Sequence, residues 1–185
     1  MLKLYGGARS RASIVQWYLE ELAVPYEFIL LDMAAGEHQK PEYLAINPMG
    51  KVPAIEDGEL KLWESGAILL YLAEKYDQPE VSLAEKSIWS QWVLYANSTL
   101  ATGLFVEANR QKEVPGLLTA LSNILNQRDY ILGSEFTVVD VAVGSILAYV
   151  PMMLPIDLNP YPVILDYIER INQRPAFQKT IGKRS

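Results

Sequence analysis

Strand-like sequence is confined to the first third of this chain. Residues 2–5, 26–31, 52–55 and 60–63 are short runs rich in apolar or β-branched side chains, bounded by Gly, Pro or the hairpin-forming pair Asp57-Gly58. Between the first two runs, Ile14, Val15, Tyr18, Leu19 and Leu22 recur at helical spacing, with Gln16, Glu20 and Glu21 on the other face. Ser10 stands where an N-cap is expected. This is a β-α-β unit, and right-handed crossover makes its strands parallel. A short amphipathic turn around residues 41–44 and a helix from Ser65, through Ile68, Leu69, Tyr71 and Leu72, complete the order β-α-β-α-β-β-α.

After Trp63 no further strand is expected. Gln78-Pro79-Glu80 reads as a linker. Residues 83–109 form one helical stretch with Trp89, Trp92, Val93 and Ala96 on one face. Pro115 opens the next helix near its first position, to about residue 128. An apolar helix follows Thr137 through Val150, stopped by Pro151 and Pro155. A helix over 163–173 and a short one led by Pro175 end the chain. The expectation is an α/β domain over 1–77, a linker over 78–83 and an all-helical domain over 84–185.

The chemistry is bounded by what the chain lacks. There is no Cys, which excludes disulfides, thiolate metal sites and a protein thiol nucleophile. His38 is the single histidine, so no multi-histidine metal site can form and no metal is expected. The net charge is -6, with no basic stripe, which argues against nucleic acid. An anionic ligand would have to be held by a local cluster of donors against the field of the whole protein. The N-terminal apolar run stops at Gly6-Gly7, too short for a signal-peptide core, and no window approaches a bilayer span. A cytoplasmic protein that does not enter membranes is expected.

Three local motifs carry a resemblance. Asn47-Pro48-Met49-Gly50-Lys51-Val52-Pro53 resembles an N-P-x-G-x-V-P segment, Glu64-Ser65 follows a hairpin, and Thr137-x-x-Asp140 is a capping box. In this order and spacing they resemble the cytosolic glutathione transferases over essentially the whole chain. The resemblance implies a thioredoxin-like domain followed by a helical one, glutathione as co-substrate with no other cofactor, and a homodimer. The strand–helix junction Ala8-Arg9-Ser10-Arg11 departs from the usual Tyr, Ser or Cys, and most resembles the small chi class of cyanobacterial type, where an arginine stands there.

Residue roles follow from the resemblance. Val52, before a cis Pro53, would offer its backbone N–H and C=O to the cysteinyl unit of glutathione. A plain turn proline is the other reading of that segment. Ser65 would cap a helix whose N-terminus receives the γ-glutamyl carboxylate, or serve as cap alone, and Glu64 would face the ammonium. His38, Gln39 and Lys51 are candidates for the glycyl carboxylate. Lys40 is a candidate too, or a solvated charge.

Free thiols ionise near ~8.5, and bringing that to ~6.5 requires about 2.7 kcal/mol of anion stabilisation. Arg9, Ser10 and Arg11 would supply it, with Tyr5 on the first strand as another hydroxyl. The opposing reading makes Ser10 an N-cap and the arginines surface charges. Thr137 and Asp140 read as structural. The expected activity is conjugation of glutathione to small electrophiles such as isothiocyanates and halogenated aromatics, with reduction of organic peroxides by the same thiolate. The electrophile would lie between the two domains, near Tyr95, Thr99, Thr102, Phe105 and Val106, which also read as ordinary core. The alternative is a noncatalytic glutathione-binding module.

Overall fold

A computed structural model describes residues 1–78 and 80–184, so Pro79, at the middle of the expected linker, and Ser185 lie outside the described residues. The chain divides into two compact units, Met1–Val81 and Ser82–Ser185.

The first unit is built on a four-stranded sheet in the order β2-β1-β3-β4. β1 (Leu2–Gly6) and β2 (Tyr26–Leu30) are parallel, joined by α1 (Ala12–Glu21). β3 (Ala54–Asp57) runs antiparallel to β1 and to β4 (Leu60–Trp63). Successive strand residues face opposite sides of the sheet. Gly6 meets Ala12 of α1, and a side chain there would also come within 2.9 Å of Phe28. Leu2, Leu4 and Gly6 therefore face α1, while Tyr5 faces the other way, onto Tyr43 of α2 (Pro41–Leu44). A short 3-10 turn, Glu37–Gln39, precedes α2. α3 (Ser65–Leu72) runs on into a π-helical turn, Ala73–Asp77. The mixed sheet with its helices is the thioredoxin-like arrangement expected from the sequence.

Three boundaries in this unit correct the sequence reading. β3 begins at Ala54, not Val52, because Pro53 has no N–H to give the ladder. The N-cap position of α1 is Arg11, although the Ser10 hydroxyl still accepts from the Ala12 N–H at 3.3 Å. Ser65 is the first residue of α3 and not its cap. Glu64 takes the cap position at φ 71°, ψ 118°, with no side-chain capping bond.

The second unit is helical throughout, as expected. α4 (Leu83–Leu94) opens with a Ser82/Glu85 capping box. A π-helical segment, Tyr95–Leu100, links it to α5 (Ala101–Phe105). α6 (Glu107–Leu125), α7 (Val138–Met153), α8 (Pro162–Asn172), α9 (Pro175–Lys179) and a 3-10 turn at Gly182–Arg184 follow. The stretch read as one helix over 83–109 breaks at Val106, whose backbone is extended. Pro115 lies inside α6 and Pro151 inside α7, where each was read as a boundary. The Pro115 ring sits on the exposed side of its helix. α7 ends at Met153, and Leu154 is extended before Pro155, as a residue preceding proline should be.

α7 is buried nearly all round, from Val138 to Ala148 and again at Val150, so its N-terminus must be satisfied by protein. Thr137 and Asp140 form the expected capping box. The Asp140 carboxylate accepts from Thr137 N–H at 3.0 Å and from Thr137 Oγ1 at 3.2 Å. It also accepts from Ile131 N–H and Tyr167 Oη, each at 2.9 Å.

Candidate functional site

Strand register gathers the motif residues of the first unit at one edge of the sheet. Tyr5 pairs with Ala54, so Gly6 and Gly7 continue alongside Pro53 and Val52. Ala54 pairs with Trp63, so Glu64 and Ser65 leave β4 beside the same two residues. β2 runs parallel to β1, so the segment after Leu30 emerges at the same edge. There Met33 packs over Gly7, its Cγ 2.8 Å from where a Gly7 Cβ would stand. Four loops meet at this edge: 7–11, 32–40, 47–53 and 64–65.

The first loop is tied by Ser10. Its hydroxyl accepts from Gly7 N–H and donates to Gly7 C=O, both at 3.1 Å. The hydroxyl proton is thus directed into the loop. Arg9 and Arg11 are exposed on either side. Arg9 forms no ion pair with a described carboxylate, whereas Arg11 has a partner within the chain. Tyr5 does not join this group. Its hydroxyl is given to Glu56, and burial, followed by that bond, pushes its pKa up. A buried phenol whose proton is already held by a carboxylate cannot activate a thiol.

The loop 47–53 is held from several sides. A turn closes with Gly50 N–H on Asn47 C=O at 3.0 Å. Gly50 has φ +59°, and Gln39 lies against the space a side chain would need, its Nε2 donating to Gly50 C=O at 3.2 Å. Both facts call for glycine. The Lys51 carbonyl accepts from Tyr43 Oη at 2.5 Å and Asn47 Nδ2 at 2.7 Å. The Val52–Pro53 peptide is cis. Neither the N–H nor the C=O of Val52 is bonded to a described residue. Beside it, Ser65 is buried at 4% exposure and Glu64 is exposed. The first turn of α3 has backbone N–H groups without intrahelical acceptors and carries the positive end of the helix dipole.

The residues expected to hold a second carboxylate lie on adjoining loops. Lys51 and Lys40 are exposed, and Lys40 pairs with Glu37 at 3.3 Å. His38 has a buried Nδ1 with no partner among the described residues. The edge therefore collects a strand end with unpaired main-chain groups, a helix N-terminus and several cations, a set suited to an extended anionic peptide.

The structure thus brings together Arg9, Ser10, Arg11, Val52, Pro53, Glu64 and Ser65 at one edge, with His38, Gln39 and Lys51 on the adjoining loops. Sequence reasoning missed Tyr43 and Asn47. Asn47 had a signal, as the first residue of the N-P-x-G turn. Tyr43 had none, because its partner is a main-chain carbonyl eight residues away. Among the described residues no group of three or more side chains could hold a metal ion. None of their helices is long and apolar enough to cross a membrane.

Comparison with known proteins bears on both units. Residues 1–74 match the glutathione S-transferase N-terminal domain and residues 86–184 a glutathione S-transferase C-terminal domain. The chain is 31% identical to glutathione S-transferase GstB of Escherichia coli (strain K12), with 98% of each protein covered. It is similar to the theta class glutathione S-transferase of Xanthomonas axonopodis pv. citri, solved with glutathione bound, at TM-score 0.80 and 30% identity over 97% of this chain and 96% of that one. A glutathione transferase of Phanerochaete chrysosporium, solved with oxidized glutathione, matches at TM-score 0.83 and 27% identity over 99% and 96%.

Proposed function

The chain belongs to the glutathione S-transferase family of enzymes, and on that premise we propose that it activates the thiol of glutathione for attack on small electrophiles. The observation that carries the reading is the unpaired main chain of Val52, beside the N-terminus of α3. Glutathione lies there as an added strand, its cysteinyl unit exchanging hydrogen bonds with Val52 next to Pro53. The γ-glutamyl carboxylate meets the N–H groups of Ser65 and the first turn of α3, and Glu64 faces the ammonium. His38, Gln39 and Lys51 take the glycyl carboxylate.

Arg9, Ser10 and Arg11 lower the thiol pKa. Arg9 contributes charge, Ser10 keeps the turn in shape, and Arg11 adds a second cation. With an isothiocyanate, the thiolate sulfur bonds to the central carbon and the nitrogen takes up a proton. With a halogenated aromatic, the sulfur–carbon bond forms and halide leaves. Reduction of organic peroxides uses the same thiolate. The arginine at the junction supports placement in the chi class, and the family supports a cytoplasmic homodimer.

The test is titration of bound glutathione by thiolate ultraviolet absorbance, in the wild type and in Arg9→Ala, Ser10→Ala and Arg11→Ala. A wild-type thiol pKa well below that of free glutathione is expected, with Arg9→Ala giving back most of the difference. A bound thiol that titrates like the free tripeptide would overturn the catalytic reading and leave a glutathione-binding module.

A further inference from the structure

We infer that Tyr43 and Asn47 are positioning residues for glutathione, which aim the Val52 N–H by gripping the carbonyl at the other end of its peptide unit. The inference rests on glutathione lying along Val52, as proposed above. The Lys51 C=O and the Val52 N–H belong to one planar unit. That unit is trans, since the cis bond is the next one along. In a trans unit the two groups point in opposite directions, so whatever holds the carbonyl fixes the direction of the N–H.

The carbonyl is held by two donors from different places. Tyr43 reaches it from α2 at 2.5 Å and Asn47 from the preceding turn at 2.7 Å. Together they occupy both acceptor directions of the oxygen. Both residues are themselves fixed. Tyr43 is 3% exposed, and its ring packs on Tyr5 at 5.8 Å between centroids. Asn47 is 1% exposed, and its Oδ1 accepts from Met49 N–H at 3.0 Å. Burial pushes the Tyr43 phenol up to about 12, so it remains a donor at any working pH. Hydrogen bonds along one peptide unit also polarise one another, which makes the outward N–H a better donor.

Tyr43→Phe keeps the ring and removes only the hydroxyl. Asn47→Ser keeps a hydroxyl acceptor for Met49 N–H, adds no charge, and takes away the amide donor to the Lys51 carbonyl. Each is compared with the wild type by calorimetric binding of two ligands: glutathione, and an analogue whose cysteinyl C=O is reduced to CH2. The analogue cannot accept from Val52. Each variant should bind glutathione about 3- to 10-fold more weakly, bind the analogue as the wild type does, and leave kcat at saturating glutathione and the bound-thiol pKa unchanged. Equal losses for both ligands, or no loss, would overturn the inference. Failure of the wild type to bind glutathione would overturn the reading beneath it.

Discussion

Asp140 shows how much a single residue can carry within the helical unit. It is fully buried, and three separate groups, Ile131 N–H, Thr137 N–H and Tyr167 Oη, have its carboxylate as acceptor. Removing it strands those donors in the interior, at a cost of about 3 kcal/mol. Asp140→Ala should therefore unfold at clearly lower urea while keeping the bound-thiol pKa of the wild type. Its titration has a definite sign. Burial pushes the carboxyl up, against the four hydrogen bonds that pull it down. A group whose folded pKa exceeds its unfolded one stabilises the fold below the unfolded value, and that contribution is lost as pH rises through the folded value. The wild type should thus lose stability relative to Asp140→Asn from about pH 4 upward, and run parallel to it once the pH has passed the folded value. Urea unfolding of both proteins across that range checks the slope. The capping box was legible in the sequence because its two residues are three apart. Tyr167 and Ile131 were not, because tertiary packing alone brings them to Asp140. Ser10 was half legible: its position at the junction is evident, but the engagement of its hydroxyl with Gly7 depends on loop geometry.

Among the elements, periodicity located the helices and misplaced some of their ends. Val106 interrupts a pattern with no Gly or Pro to mark the break. What stabilises the break is Arg110, whose Nε donates to the Leu104 carbonyl at 2.8 Å and so satisfies the end of α5. A charged residue on the following helix gives no local sign of that task. Pro115 misled for the opposite reason, since a strong breaker was read as a boundary. Its ring faces outward, and the helix continues on the packing of Leu118, Leu121 and Leu125. The cost of that arrangement remains in α6, where Pro115 is followed by Gly116. Nothing lies within 4 Å of the position a Gly116 Cβ would take. Gly116→Ala should therefore raise stability by about 1 kcal/mol, through helix propensity alone. An unchanged or lower urea midpoint would mean that this turn of α6 serves something other than the helix.

At the scale of the whole chain, the sequence showed two units of different class but left the balance of charge between them unremarked. The first unit carries thirteen acidic and seven basic residues; the second carries nine of each. All of the net charge of -6 thus sits on the unit proposed to bind an anion. Two effects compete there, long-range repulsion from the unit and short-range attraction from Arg9, Arg11 and Lys51. Magnitudes separate them. Glu59 is exposed in the hairpin turn at the opposite end of β3 from Val52, about 20 Å away at ~3.4 Å per residue. Glu59→Lys changes that charge by two, worth about 0.4 kcal/mol on a singly charged ligand in unscreened water, or about twofold in Kd. At physiological salt the Debye length is about 8 Å, and the effect falls below a tenth of that. The ion pair proposed from Lys51 to the glycyl carboxylate would act within contact range and keep about 0.5–1 kcal/mol. At ~10 mM salt the Debye length is about 30 Å and about half of the effect survives, so Glu59→Lys should tighten glutathione binding about 1.4-fold there and leave it unchanged at about 150 mM. Lys51→Ala should weaken it about 2- to 5-fold at both. If Glu59→Lys still tightened binding at high salt, the acidic unit would be acting on the ligand through something other than its field, and the local cluster would no longer account for the capture of an anion by this chain.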